Sequence, residues 1–272
     1  FNYGNAPKGL LPFHRYKTHP ATAFEEHLYE SALYSASNGV ANLHFTVSES
    51  HSDKFNAEFE KIEKLVETKT GVAFTISFSF QKESTDTIAV DLDDKPFREA
   101  DGSLHFRPSG HGALIENLNE QDADIIFIKN IDNVVVYRYK HEVADYKKML
   151  AGILLQLQER AFHYRKMLDS KGVDQQLIDE IKQFLNGSMS VAVTPHFNMY
   201  RENFQIEYLK EKLDRPIRVC GMVRNEGEPG GGPFWVKDEN GNVSLQIIES
   251  AQVDKSNKIQ REILKTATHF NP

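Results

Sequence analysis

The sequence predicts an α/β protein with a mainly parallel sheet. Helical and strand-like hydrophobic periods alternate along the first half of the chain, as βαβ units require. A continuous apolar run, Ile125-Ile126-Phe127-Ile128, has the character of a strand buried on both faces. The 272 residues are 40% hydrophobic, 26% charged and 11% aromatic, which excludes collagen-like and disordered chains.

The elements follow in order. Thr22 with Glu25 three residues on is a capping box, and behind it Phe24, Leu28 and Ala32 recur at helical spacing until Gly39. Leu43, Phe45 and Val47 alternate with Asn42, His44 and Thr46, the period of a half-buried strand. Ser52 is expected to cap a helix carrying Phe55, Phe59, Ile62 and Leu65 on one face, with Gly71 ending it. A second alternation, Val72, Phe74, Ile76, Phe78 and Phe80, predicts a second strand, and residues 113–119 predict a short helix. Residues 144–170 and 174–185 read as two helices, a helical insertion of about 144–186. Strand signals return at 191–193, 218–223 and 243–249, with a helix at 202–213 between them. No internal repeat or low-complexity linker interrupts the chain, so the expected partition is one domain, 1–272, carrying that insertion. It reads as a fragment, starting at Phe1 without Met and stopping directly after a helical pattern.

Charge and cysteine usage narrow the partners. Lys+Arg 32 against Asp+Glu 39 gives a net charge of −7, which argues against a grip on a nucleic-acid backbone. No apolar run approaches a membrane span, and no signal peptide is visible. A single cysteine, Cys220, excludes an internal disulfide and suits a reducing compartment, so a cytoplasmic location is expected. Within an apolar strand pattern Cys220 reads as a small core residue. The eleven histidines show no metal-ligand spacing, and there is no nucleophile elbow.

Four segments carry candidate chemistry. In Pro7-Lys8-Gly9, two nearby prolines fix a loop and Gly9 permits close backbone approach, so Lys8 suits phosphate oxygens; the alternative is a solvated loop lysine. In Pro108-Ser109-Gly110-His111-Gly112, free backbone N–H groups before a helix can cradle an anion or a base edge, or simply form a helix-entry turn. Asp132 follows the apolar run, where an open α/β sheet presents its ligand site, and can hold Mg²⁺ against phosphate or cap a turn. Gly230-Gly231-Gly232 reads as a flexible flap or a hairpin loop, and Glu249 ends a strand where it can accept from hydroxyls.

Taken in order, these segments resemble the nucleotidyltransferases that make nucleotide sugars, above all UDP-N-acetylhexosamine and UDP-sugar pyrophosphorylases. The resemblance rests on Pro7-Lys8-Gly9, Phe78-Ser79-Phe80-Gln81, Pro108-Ser109-Gly110-His111-Gly112, Ile131-Asp132-Asn133, Cys220-Gly221-Met222-Val223 with Glu249, and a late segment, Thr266-Ala267-Thr268-His269-Phe270-Asn271. The chain also resembles a bacterial family of unknown function placed in that superfamily. The resemblance implies a three-layer α/β/α fold of the GT-A type, in which a sugar 1-phosphate attacks a nucleoside triphosphate and releases pyrophosphate. It gives Lys8 the phosphates and Asp132 the Mg²⁺. Gln81 and Gly112 would read the base, Glu249 with Asn271 would hold the sugar, and Gly110, His111 and Asn133 would complete the nucleotide- and sugar-binding set. The family's G-x-G-T-R-L loop is absent and would precede Phe1, so activity is expected of the full-length protein and not of this fragment. The second metal ligand has no match, and the helical insertion has no counterpart. A glycosyltransferase of the same fold would show an Asp-x-Asp signature, which Ile131-Asp132-Asn133 lacks. A non-catalytic nucleotide-sugar-binding protein is the other alternative. Base, sugar and oligomeric state are not set by the sequence.

Overall fold

The computed structural model describes residues 4, 6–170, 172–227, 230–239 and 241–271, and of His111 the backbone alone. Among the described residues the first strands are β1 (Pro12–Arg15) and β2 (Pro20–Thr22), an antiparallel pair leading into α1 (Ala23–Tyr34). The Thr22 hydroxyl accepts from the Glu25 amide at 3.1 Å, the N-cap half of the expected capping box, while the Glu25 carboxylate bonds His19 at 2.8 Å instead of closing the box. β3 (Ala36–Ser37) turns through Asn38 and Gly39, both at positive φ, into β4 (Val40–Thr46). Next come α2 (Ser52–Thr70) and β5 (Ala73–Ser79). α2 follows a 3-10 turn at Glu49–His51, so Ser52 is its first residue and not its cap. It ends as expected at Gly71, whose φ of 68° is readily available only to a residue without a Cβ.

β4 and β5 run parallel in register from Val40↔Ala73 to Thr46↔Ser79, with α2 as the crossover that parallel strands require. Their inward face packs Phe24, Leu28, Ala41, Phe55, Ile62, Val66 and Phe74 into one core, with the Phe24 ring 4.9 Å from that of Phe45. The outward face is polar: the two ring nitrogens of His44 lie 2.8 Å from the Ser77 and Ser79 hydroxyls. β6 (Thr87–Ile88) and β7 (Phe106–Arg107) form a small antiparallel pair, and α3 (Ile115–Asn119) follows a 3-10 turn at His111–Leu114. The architecture is mixed α/β. β4–β5 is the one parallel pairing among the described strands; every other pairing is antiparallel.

The apolar run Ile125–Ile128 corrects the sequence expectation. It forms no strand, and Ile126 and Ile128 are 40% and 66% exposed, so the segment is not a sheet centre buried on both faces. Here hydrophobicity alone did not specify pairing, because a strand also needs a neighbour with free backbone groups.

The remaining elements are α4 (Lys140–Leu168), α5 (Gln175–Gln183), α6 (Glu202–Leu213), β8 (Val223–Arg224), β9 (Gly232–Lys237), β10 (Val243–Ile248), α7 (Lys258–Leu264) and β11 (His269–Phe270). The chain forms two compact units, Phe1–Asp145 and Tyr146–Pro272. In the second, Ala161 and Leu168 of α4, Ile178 and Ile181 of α5, and Leu209 and Leu213 of α6 share a core with Phe184 and Phe197. The strand expected at 191–193 is reduced to a single bridge, Val191↔Ser244.

Candidate functional site

The first candidate segment is a 3-10 turn, Lys8–Leu10, closed by the Leu10 amide on the Pro7 carbonyl at 3.0 Å. Gly9 is buried, and a Cβ there would lie 2.8 Å from the Phe55 ring and 3.1 Å from Ile131. The glycine therefore serves close packing of the turn onto Phe55 and Ile131, which corrects the expectation that it opens the backbone to a ligand. One consequence concerns the neighbours. With Gly9 seated on Ile131, Lys8 and Asp132 meet: Lys8 Nζ lies 2.9 Å from Asp132 Oδ2, across 124 positions of sequence. Both side chains face water, 68% and 41% exposed.

No sheet holds the segment around Asp132. Asn133 closes a turn through its amide to the Asn130 carbonyl at 3.1 Å. The rest of the support comes from the polar face of α1. A His27 ring nitrogen donates to the Ile131 carbonyl at 3.0 Å. Glu30 pairs with Lys129 and accepts from the Val135 amide at 3.2 Å. The Tyr137 amide donates to the Tyr16 hydroxyl at 3.0 Å. Tyr16 in turn donates to Glu26, 2.7 Å away, which also receives a His14 ring nitrogen at 2.7 Å and the Lys140 ammonium.

This is a buried ion network. Glu26, Glu30 and Lys140 are each no more than 1% exposed. Buried charges persist only when paired, and here each carboxylate has a cation and further donors. Burial alone would raise the Glu26 carboxyl, but the hydrogen bond and charge of Lys140, with the bonds from Tyr16 and His14, hold it below its ordinary range. Burial, then the nearby Lys129 charge, push His27 below its ordinary value, so the ring bonds Ile131 in its neutral form. Sequence reading missed Glu26, His27, Glu30, Lys129 and Lys140. The available signal was acidic residues at consecutive and i,i+4 positions of α1, beside Phe24 and Leu28 at helical spacing.

Gln81 comes to the other candidate loop. In the orientation that satisfies its carboxamide, Oε1 accepts from the Ser109 amide at 2.8 Å and Nε2 donates to the Ser109 carbonyl at 3.3 Å. Both amide atoms are thus used to hold the Pro108–Gly112 turn. Gly110 caps the following 3-10 turn, and a Cβ at Gly110 or Gly112 would meet open space. The side chain of His111 lies outside the described residues. Asn117, 2% exposed, fastens the end of β5 through Nδ2 to Ser79 Oγ at 2.9 Å and the Phe80 carbonyl at 2.8 Å.

The sugar candidates lie in the second unit. Glu249 caps the 3-10 turn Ser250–Gln252 in a reciprocal capping box, its amide donating to Gln252 Oε1 at 2.9 Å. Asn271 donates through Nδ2 to the Gly221 carbonyl at 2.7 Å and through its amide to the Gly231 carbonyl at 2.9 Å. Neither Gly231 nor Gly232 belongs to a loose flap. A Cβ at Gly231 would lie 2.4 Å from Ile247, and one at Gly232 2.9 Å from Phe234. A cavity of about 240 Å³ beside them is lined by Asn225, Phe234, Ser250, His269 and Phe270. Cys220 is half-buried and unbridged.

Among the described residues no three His, Cys, Asp or Glu side chains gather to hold a metal. A dedicated protein cage is therefore not what the site offers. Asp132 offers a single hard carboxylate, and that suits a cation such as Mg²⁺ that takes one or two carboxylates and completes its shell with phosphate and water.

The class so defined is a mixed α/β protein presenting an exposed lysine–aspartate pair on a buried ionic platform. Residues 1–272 match the family described as Domain of unknown function (DUF4301), and the chain belongs to that family. No curated protein and no solved structure matches it. Among the described residues no helix is long and apolar enough to cross a membrane.

Proposed function

We propose that the protein acts on phosphates at Lys8 and Asp132, as a nucleotidyltransferase joining a sugar 1-phosphate to a nucleoside triphosphate on a three-layer, GT-A-like fold. The observation that carries this is the Lys8–Asp132 contact: two residues from separate loops, each suited to phosphate chemistry, meet at 2.9 Å, both exposed to solvent. The reading rests on the first unit alone. In the reaction, an oxygen of the sugar phosphate forms a bond to the α-phosphorus, the bond to the bridging oxygen breaks, and pyrophosphate leaves. Lys8 would neutralise phosphate oxygens, and it is worth more where charge develops than in the ground state. Asp132 would hold Mg²⁺, which when bound supplies Lewis-acid polarisation of a phosphoryl oxygen. The α1 network would keep Asp132 in place, because positioning carries much of phosphoryl-transfer catalysis.

The test is pyrophosphate release by the full-length protein over a panel of nucleoside triphosphates and sugar 1-phosphates, with Mg²⁺ titrated. Lys8→Ala should lower turnover at least about tenfold, and Asp132→Asn should abolish the Mg²⁺-dependent rate with the melting temperature shifted by only a few degrees. Saturable nucleotide-sugar binding without turnover would select a binding protein instead. Full activity in Asp132→Asn would remove the metal role.

A further inference from the structure

A second polar site lies in the second unit. A cavity of about 160 Å³ opens between the end of α6 and the β9–β10 hairpin, lined by Lys212, Arg215, Ser244, Glu211, Asp238 and Asn242. Lys212 is unusual for its type, because its side chain is only 9% exposed. Its ammonium has three protons to place. It lies 3.4 Å from Glu211 Oε1 and 5.1 Å from the centre of the Tyr208 ring, a long hydrogen bond and a cation–π contact.

Two other donors line the same cavity. Arg215 has no hydrogen-bond or ion-pair partner among the described residues, so its guanidinium fork stays open. Ser244 accepts from Gln246 Nε2 at 3.0 Å, which leaves its own hydroxyl hydrogen to donate. Two carboxylates also line the cavity, and each already has donors. Asp238 accepts from the Asn242 amide at 2.8 Å and from Asn242 Nδ2 at 2.9 Å, closing the hairpin turn. Glu211, 74% exposed, takes one proton of the Lys212 ammonium at 3.4 Å and leaves the other two to place. A point charge, a planar fork and a hydroxyl facing one small polar cavity form a donor set for a tetrahedral oxyanion.

We infer that this cavity binds a phosphate group, free or as the head of a small phosphomonoester, through Lys212, Arg215 and Ser244. The site is independent of the Lys8–Asp132 reading, and the test removes that pair so that the two stand or fall separately. In the Lys8→Ala protein, inorganic phosphate and glycerol 1-phosphate are titrated by calorimetry, with chloride at matched ionic strength as control. One saturable site is expected, bound at least tenfold more weakly after Arg215→Gln, and with chloride inert. Ser244→Ala, which removes one neutral donor, should weaken it about threefold. Tighter binding of glycerol 1-phosphate assigns a phosphomonoester, and equal or weaker binding assigns the free anion. The inference is overturned if the Lys8→Ala protein shows no saturable phosphate site. It is equally overturned if Arg215→Gln and Ser244→Ala both bind as the parent does.

Discussion

Removing the Lys140 ammonium tests the buried platform most directly. Lys140 is 1% exposed and Glu26 fully buried, so in Lys140→Met the Glu26 carboxylate keeps only Tyr16 and His14 and loses its strongest cation. Breaking a buried pair by removing one partner costs about 3–5 kcal/mol, because a charge is left without compensation. At about 2–4 °C per kcal/mol for a chain of this size, the melting temperature should fall by about 6–20 °C. The companion is Glu26→Gln/Lys140→Met, which removes both charges at nearly constant volume. Replacing a whole buried pair is often close to neutral, so the double variant should recover most of the loss. Urea unfolding of the wild type, both single variants and the double variant closes the cycle. A cost below about 1 kcal/mol for Lys140→Met, or single effects that merely add in the double variant, would refute the reasoning.

Three further predictions concern pH and packing. His27 sits below its ordinary value of 6.5 in the folded state, so the unfolded chain takes up its proton first as pH drops. The stability it contributes is complete above pH 6.5 and declines below it, and melting curves across that range should flatten in His27→Gln. Glu26 is likewise depressed below 4.5, so its contribution is full above that pH and is lost as pH falls further; the acid arm of the same curves should weaken in Glu26→Gln. Gly231→Ala places a Cβ 2.4 Å from Ile247 and should cost about 1–3 kcal/mol in urea unfolding, whereas a loose flap would tolerate the methyl group at no cost.

Local structure was determined by the sequence itself wherever the signal was local. The Thr22 cap, the Gly71 stop, α6 at Glu202–Leu213 and the alternation of β4 and β5 depend on residues within a few positions of each other. Lys8 and Asp132 each stand in a segment that the sequence marks on its own. Their meeting was not so marked, since it depends on Gly9 seating on Ile131, a contact across more than 120 residues that no spacing encodes. Nor was the exposure of Ile126 and Ile128, because an apolar run becomes a strand only when a neighbour pairs with it. The polar groups of Gln81 and Glu249, which suit a ligand when seen in sequence alone, bond Ser109 and the Gln252 cap in the folded chain. The buried charges of α1 show the same limit. Glu26 and Glu30 are neutralised by Lys140 and Lys129, about 100 positions away, and only the tertiary structure brings those charges together.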